Sequence, residues 1–165
     1  MESAATKGPR EYATAIQNQL GHSWLTQIYR DRILKARTRA YHFGKIPRNP
    51  RVEILHTLLG VELKIGRRRF LCPDLSTARY LSIFARLGCS DVAIPYDITQ
   101  LSYFADELEP AWQRTFLLIE HNLPEKAPRG RIRGLIIAKL KAEIAEAGAG
   151  KEVPEFKQST SQRKR

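Results

Sequence analysis

Apolar positions along the chain fall into short periodic runs separated by glycine, proline and polar breaks. A first helical run covers Tyr12–Leu20 and stops at Gly21. Ser23 stands where a helix cap belongs. It precedes a predicted helix over Trp24–Ala40, in which Leu25, Tyr29, Ile33, Ala36 and Ala40 recur on one stripe. Residues 42–50 carry Gly44, Pro47 and Pro50 and read as a loop; Pro50 then opens a short helix through Leu59, ended by Gly60.

The period then changes. Val61–Ile65 alternates apolar and charged residues as a half-buried strand does. Gly66-Arg67 supplies a turn, and Arg68 to Cys72 returns as a second strand, so the pair forms a hairpin with an arginine-rich tip. Asp74 caps a helix over Leu75–Leu87 that buries Ala78, Leu81 and Phe84, with Tyr80 and Ile83 alongside, and Gly88 takes the left-handed position after it. Val92–Ile94 is a short apolar strand, placed beside the hairpin by a right-handed crossover. Asp97 caps a helix from Ile98 to about Glu109. Pro110 interrupts it and starts another, carrying Trp112, Phe116, Leu117 and Ile119. After a linker over 122–130, Arg131–Ala147 forms the last helix, with Leu135, Ile136, Leu140 and Ile144 on one side.

These elements predict an α+β fold: a small three-stranded mixed sheet, hairpin plus one strand, packed with several helices. One domain is expected over 11–147, with a basic helical part (11–51), a hairpin and sheet part (52–122) and a C-terminal helix (131–147). A flexible segment, 1–10, and a disordered basic tail, 148–165, flank it. A chain of 165 residues buries a core without disulfides or a structural metal. Cys72 and Cys89 lie in apolar surroundings and read as buried, reduced thiols. The N-terminus lacks the apolar core of a signal peptide, and no stretch reaches the roughly 20 apolar residues of a membrane span, so a cytoplasmic protein is expected.

Charge changes this picture most. The chain holds 28 Lys and Arg against 17 Asp and Glu, a formal net charge of +11. The excess is clustered, unlike a surface charged only for solubility. Arg30, Arg32, Lys35, Arg37, Arg39, Lys45, Arg48 and Arg51 are opposed by Asp31 alone over residues 26–51. Arg67, Arg68 and Arg69 occupy the hairpin tip, and over Arg129–Lys141 the five bases Arg129, Arg131, Arg133, Lys139 and Lys141 meet no acid. Residues 73–126 carry the counterweight, including the acidic run Asp106-Glu107-Leu108-Glu109, which reads as a solvated helix face. Arginine binds phosphate bidentately and stacks on bases, and Tyr41, His42 and Phe43 lie among the basic residues as packing groups or an exposed stacking platform.

The expected function is therefore non-enzymatic binding of nucleic acid, RNA ahead of DNA, or association with a ribonucleoprotein. The contact residues would be Arg32, Lys35, Arg37, Arg39, Lys45, Arg48, Arg51, Arg67, Arg68, Arg69, Arg129, Arg131 and Arg133. An acidic protein docking on the same basic face is the alternative. A third reading takes Glu62-Leu63-Lys64 as the E-x-K element of a metal-dependent nuclease. Asp74, the acid nearest in kind to a second ligand, follows that element and reads as a helix cap. His22, His42, His56 and His121 lack the spacing of a helical zinc site, and no nucleotide-cofactor fingerprint is present, so no cofactor is expected. The sequence leaves the oligomeric state open.

Overall fold

A computed structural model describes residues 8–150; the N-terminal segment up to residue 7 and the tail from 151 onward lie outside the described residues. The fold is α+β. Helix α1 spans Pro9–Leu20, with Pro9 at its first position and the Gly8 N–H donating to Glu11 Oε1 at 2.7 Å. It starts three residues before the predicted Tyr12, because proline and this cap set the boundary and the first turn carries little apolar pattern.

The next segment departs from expectation. Helix α2 is only Leu25–Ile28, and it widens into a π turn over Tyr29–Ile33. The predicted stripe holds through Leu25, Tyr29 and Ile33, all buried, and fails at Ala36 and Ala40, which are half-buried. Two small alanines offer little area to hold a helix there. Strand pairing wins, and Thr38–His42 forms β1, antiparallel to β5 (Asp91–Pro95) with Ala40 opposite Ala93.

The predicted helix from Pro50 to Leu59 is likewise a strand, β2 (Val52–Thr57). Gly60, read as a helix stop, is instead the closing residue of a two-residue turn at Leu58-Leu59. Thr57 faces Gly60 there, and Thr57 Oγ1 accepts the Leu59 N–H at 3.1 Å. β2 then pairs with the expected hairpin, β3 (Gly60–Ile65) and β4 (Arg68–Cys72), as an antiparallel meander in the order β2-β3-β4. The single mixed sheet is thus replaced by two antiparallel sheets. The Val92–Ile94 strand takes β1 as its neighbour and leaves the hairpin to β2.

Helix α3 (Leu75–Leu87) matches its signals: Asp74 Oδ1 accepts the Thr77 N–H at 2.7 Å, and Gly88 is left-handed at φ 81°. It packs on the inner face of the meander and on the helix that follows β5, α4 (Ile98–His121). α4 runs unbroken over Ile98–His121, through Pro110. A proline inside a helix costs about 3 kcal/mol. Here Leu108, Ala111, Thr115 and Ile119 are buried on one face to either side of it and carry the helix through. α5 (Arg129–Ala147) buries Ile132, Ile136, Leu140 and Ile144 against α1, α3 and α4. Among the described residues no helix is long and apolar enough to cross a membrane.

One hydrophobic cluster joins all these elements. At its centre, buried Tyr29 accepts the Ala93 N–H at 2.9 Å and donates to the Gly148 carbonyl at 2.5 Å. Tyr80 donates to the Ala93 carbonyl at 2.6 Å. Burial pushes the Tyr29 hydroxyl up to about 12 and the Cys89 thiol up to about 12.

Candidate functional site

Several of the predicted basic residues have partners within the fold. At the hairpin tip the three arginines part company. Arg68 folds back: Nη2 donates to the Phe43 carbonyl at 2.8 Å, Nη1 to that of Lys45 at 3.1 Å, and its guanidinium lies 4.8 Å from the Phe70 ring centroid. Arg69 pairs with Glu62 across the hairpin at 3.3 Å. Arg67 is exposed on the turn and, among the described residues, has no ion-pair partner. The repulsion expected of an arginine run is thus met internally for two of its members.

The first cluster is dispersed in a similar way. Arg32 pairs with Glu107, which raises its pKa through the hydrogen bond between them. Arg37 and Arg39 lie over the exposed ring of Tyr96, at 4.9 and 5.8 Å from its centroid. Arg51 pairs with Glu53 at 3.1 Å, while Lys35 and Lys45 are exposed. Arg129 fastens the turn between α4 and α5, donating to the carbonyls of Glu120, Leu123, Pro124 and Glu125 at 2.9–3.3 Å. Arg131 is exposed at the start of α5. The acidic run is also engaged: Arg79 binds Asp106 at 2.7 Å and Glu109 at 2.7 and 3.0 Å, tying α3 to α4. Phe43 is buried against Tyr41 and Phe70, with ring centroids 5.0 and 6.2 Å away, so these rings serve packing; exposed His42 bonds Asp91.

Two predicted residues, Arg48 and Arg133, meet in a groove with partners the sequence reading left out. Two adjoining cavities of about 750 and 710 Å³ share Asn49, Pro50, Arg86, Arg133 and Ile137. One wall is the 47–50 loop, with Asn49 left-handed at φ 50°; Phe43 and Arg68 anchor the loop's start, and the Gly66 N–H donates to the Arg51 carbonyl at its end. Another wall is the C-terminal end of α3, with Arg86 and Gly88. Trp112, Phe116 and Leu117 of α4 line the apolar end. α5 supplies Gly130, Arg133, Gly134, Ala138 and Lys141, and Arg129 fixes where that helix begins.

The groove is positive. Arg48, Arg86, Arg133 and Lys141 line it, with Glu120, 3.2 Å from Arg133, as its one carboxylate among the described residues. Arg48, Arg86 and Lys141 have no ion-pair partner among the described residues. A Cβ built on Gly88 would sit 3.7 Å from Lys141 Nζ, so the ammonium covers the carbonyl end of α3, where the helix dipole favours a cation. At the apolar end the Trp112 and Phe116 ring centroids are 4.6 Å apart, and Arg133 lies 5.1 Å from that of Phe116.

Against protein-family models, curated proteins and solved structures, the chain has no match. The site's meaning rests on its geometry. Arg86 escaped the sequence reading because it sits inside the acid-rich stretch, and Trp112 and Phe116 because their spacing read as a helix's apolar face. Lys141 had a usable signal: it follows Arg133 and Ile137 at two successive four-residue steps, one row of α5. The E-x-K element gathers no ligand set: Glu62 is held by Arg69, and Asp74 caps α3. Among the described residues no three His, Cys, Asp or Glu side chains converge as metal ligands.

Proposed function

We propose that the protein binds nucleic acid without catalysing a reaction, holding the phosphate backbone in the groove between the 47–50 loop, α3, α4 and α5. One observation carries this reading. Arg48, Arg86 and the Arg133/Lys141 pair come from three separate stretches of the chain into one trough with, among the described residues, a single carboxylate, next to Trp112 and Phe116. Arg48, Arg86 and Lys141, concentrated without ion-pair partners among the described residues, repel one another, and an arriving polyanion relieves that repulsion. Arginine predominates, and its planar fork suits phosphate oxygens. RNA is the first ligand to test.

The test is the salt dependence of binding to fluorescent oligonucleotides, read by anisotropy. Each neutralised phosphate contributes about −0.7 to −0.9 to the slope of log K against log salt. Arg48, Arg86, Arg133 and Lys141 together give a slope of about −3, so affinity falls about 50- to 150-fold between roughly 50 and 200 mM salt. The double variant Arg48→Ala/Arg86→Ala flattens the slope by about 1.5. A flat slope, or one the double variant leaves unchanged, overturns the groove as the binding site. Displacement of the oligonucleotide by polyglutamate at equal charge concentration would instead favour an acidic protein as the partner.

A further inference from the structure

We infer that the groove takes a single strand, with an unpaired base at Trp112 and Phe116 and the backbone running along the basic row; this rests on the nucleic-acid reading above. The groove is divided by chemistry along its length. Val52, Trp112, Phe116 and Leu117 line one end only, Arg48 and Lys141 the other only, and Arg86, Arg133 and Ile137 line both. A nucleotide has the same division, a flat π face and a charged phosphate.

The aromatic end is poorly explained by packing alone. Trp112 and Phe116 stand on successive turns of α4 and are only half-buried, and Leu117 beside them is 56% exposed. The Trp112 indole N–H has no hydrogen-bond partner among the described residues, in contrast to Trp24, whose Nε1 donates to Glu143 at 2.8 Å. An indole donor is therefore open beside half-exposed rings at a cavity of about 750 Å³, within the range of volumes of small-ligand sites.

The floor leads to the same ligand. Gly130, Gly134 and Ala138 form a row on α5 beside Arg133, Ile137 and Lys141. A Cβ at Gly130 or Gly134 would meet no atom within 4 Å, so the fold's own packing does not require these glycines. Their absent side chains leave a channel for a chain to lie against the helix. In a duplex the bases are stacked and paired inside, and their faces are not free to lie on Trp112 or Phe116. A single strand splays its bases and offers both faces to aromatic rings.

The experiment compares short fluorescent oligo(U) and oligo(dT) with a mixed-sequence duplex at low salt, reading anisotropy and tryptophan emission together. Both single strands are expected to bind at least about tenfold tighter than the duplex and to quench Trp112. Trp112→Leu keeps apolar bulk at the site, removes the quench and weakens single-strand binding by about 5- to 150-fold, without changing the salt slope. Circular dichroism of the variant establishes that it is folded, and the quench in the wild-type protein is a readout independent of any substitution. Equal or tighter duplex binding, with tryptophan emission unchanged and the salt slope intact, overturns the single-strand inference and leaves the polyanion reading standing. Binding to neither form overturns both.

Discussion

Replacing Gly134 with alanine separates what α5 needs to fold from what the groove needs to bind. Gly134 lies inside the helix, Arg129–Ala147, with ordinary negative φ, and is exposed toward the groove. Glycine in a helix interior is about 0.8–1.0 kcal/mol less favourable than alanine, because its backbone loses more freedom on folding. Ordinarily a close neighbour that excludes a Cβ would explain such a residue, but nothing lies within 4 Å of that position. Gly134→Ala should therefore stabilise the protein by about 0.5–1 kcal/mol, raising Tm by about 1–4 °C in a chain of this size. The same methyl would stand on the floor of the groove between Gly130 and Ala138, and affinity for a single strand should fall a few-fold. Thermal melting by circular dichroism and oligonucleotide anisotropy on one preparation read both effects. A lower Tm would mean that the helix geometry here demands glycine for the fold. A higher Tm with unchanged affinity would mean that no ligand approaches this face of α5. Either result refutes the reasoning.

Two further tests concern the core. Tyr29→Phe removes the hydroxyl that closes the Ala93 N–H and the Gly148 carbonyl. A buried donor left unpaired costs about 1–3 kcal/mol, so the urea midpoint should drop with the m-value preserved; an unchanged midpoint would show that the hydroxyl is dispensable. Cys89 is held up to about 12 from 9.0, and Tyr29 to about 12 from 10.0. Above about pH 9 the unfolded chain releases protons that the native state keeps, so stability falls as pH rises towards 12, by up to about 1.4 kcal/mol per pH unit for each group. The matching chemical test is alkylation: Cys89 should resist iodoacetamide in the native protein at mildly alkaline pH and react in denaturant. Rapid native labelling at Cys89 would contradict its burial.

Elements whose pattern and boundary signals agree were legible in the sequence. α3 combines an apolar face with Asp74 and Gly88 at its ends, and the β3–β4 hairpin combines alternation with a glycine turn. Misreadings arose where one residue carries two meanings. Gly60 ends a helix or closes a hairpin, and only the pairing of Thr57 with Gly60 decides which. Ala36 and Ala40 satisfy a helical period while burying too little to enforce it, and β5, buried along Val92–Pro95, offered a better partner. The site was half legible for a similar reason. Local charge density picked out Arg48 and Arg133, but also arginines engaged by backbone carbonyls, such as Arg68 and Arg129, because density says nothing of which carbonyls lie in reach. Arg86 has no basic neighbour in sequence, and tertiary packing alone brings it to the groove.

Ala93 shows how a small sheet can stay small. Among the described residues β5 has a strand on one side only, and on the other its N–H and carbonyl at Ala93 end on the hydroxyls of Tyr29 and Tyr80. Two phenols occupy the places a third strand would fill. A foreign strand seeking that edge must first evict both rings from a core in which each is fully buried, so recruitment there is blocked from within. In this respect the tyrosines act as a terminator of the sheet, and loosening either one would open the interior to template-driven association.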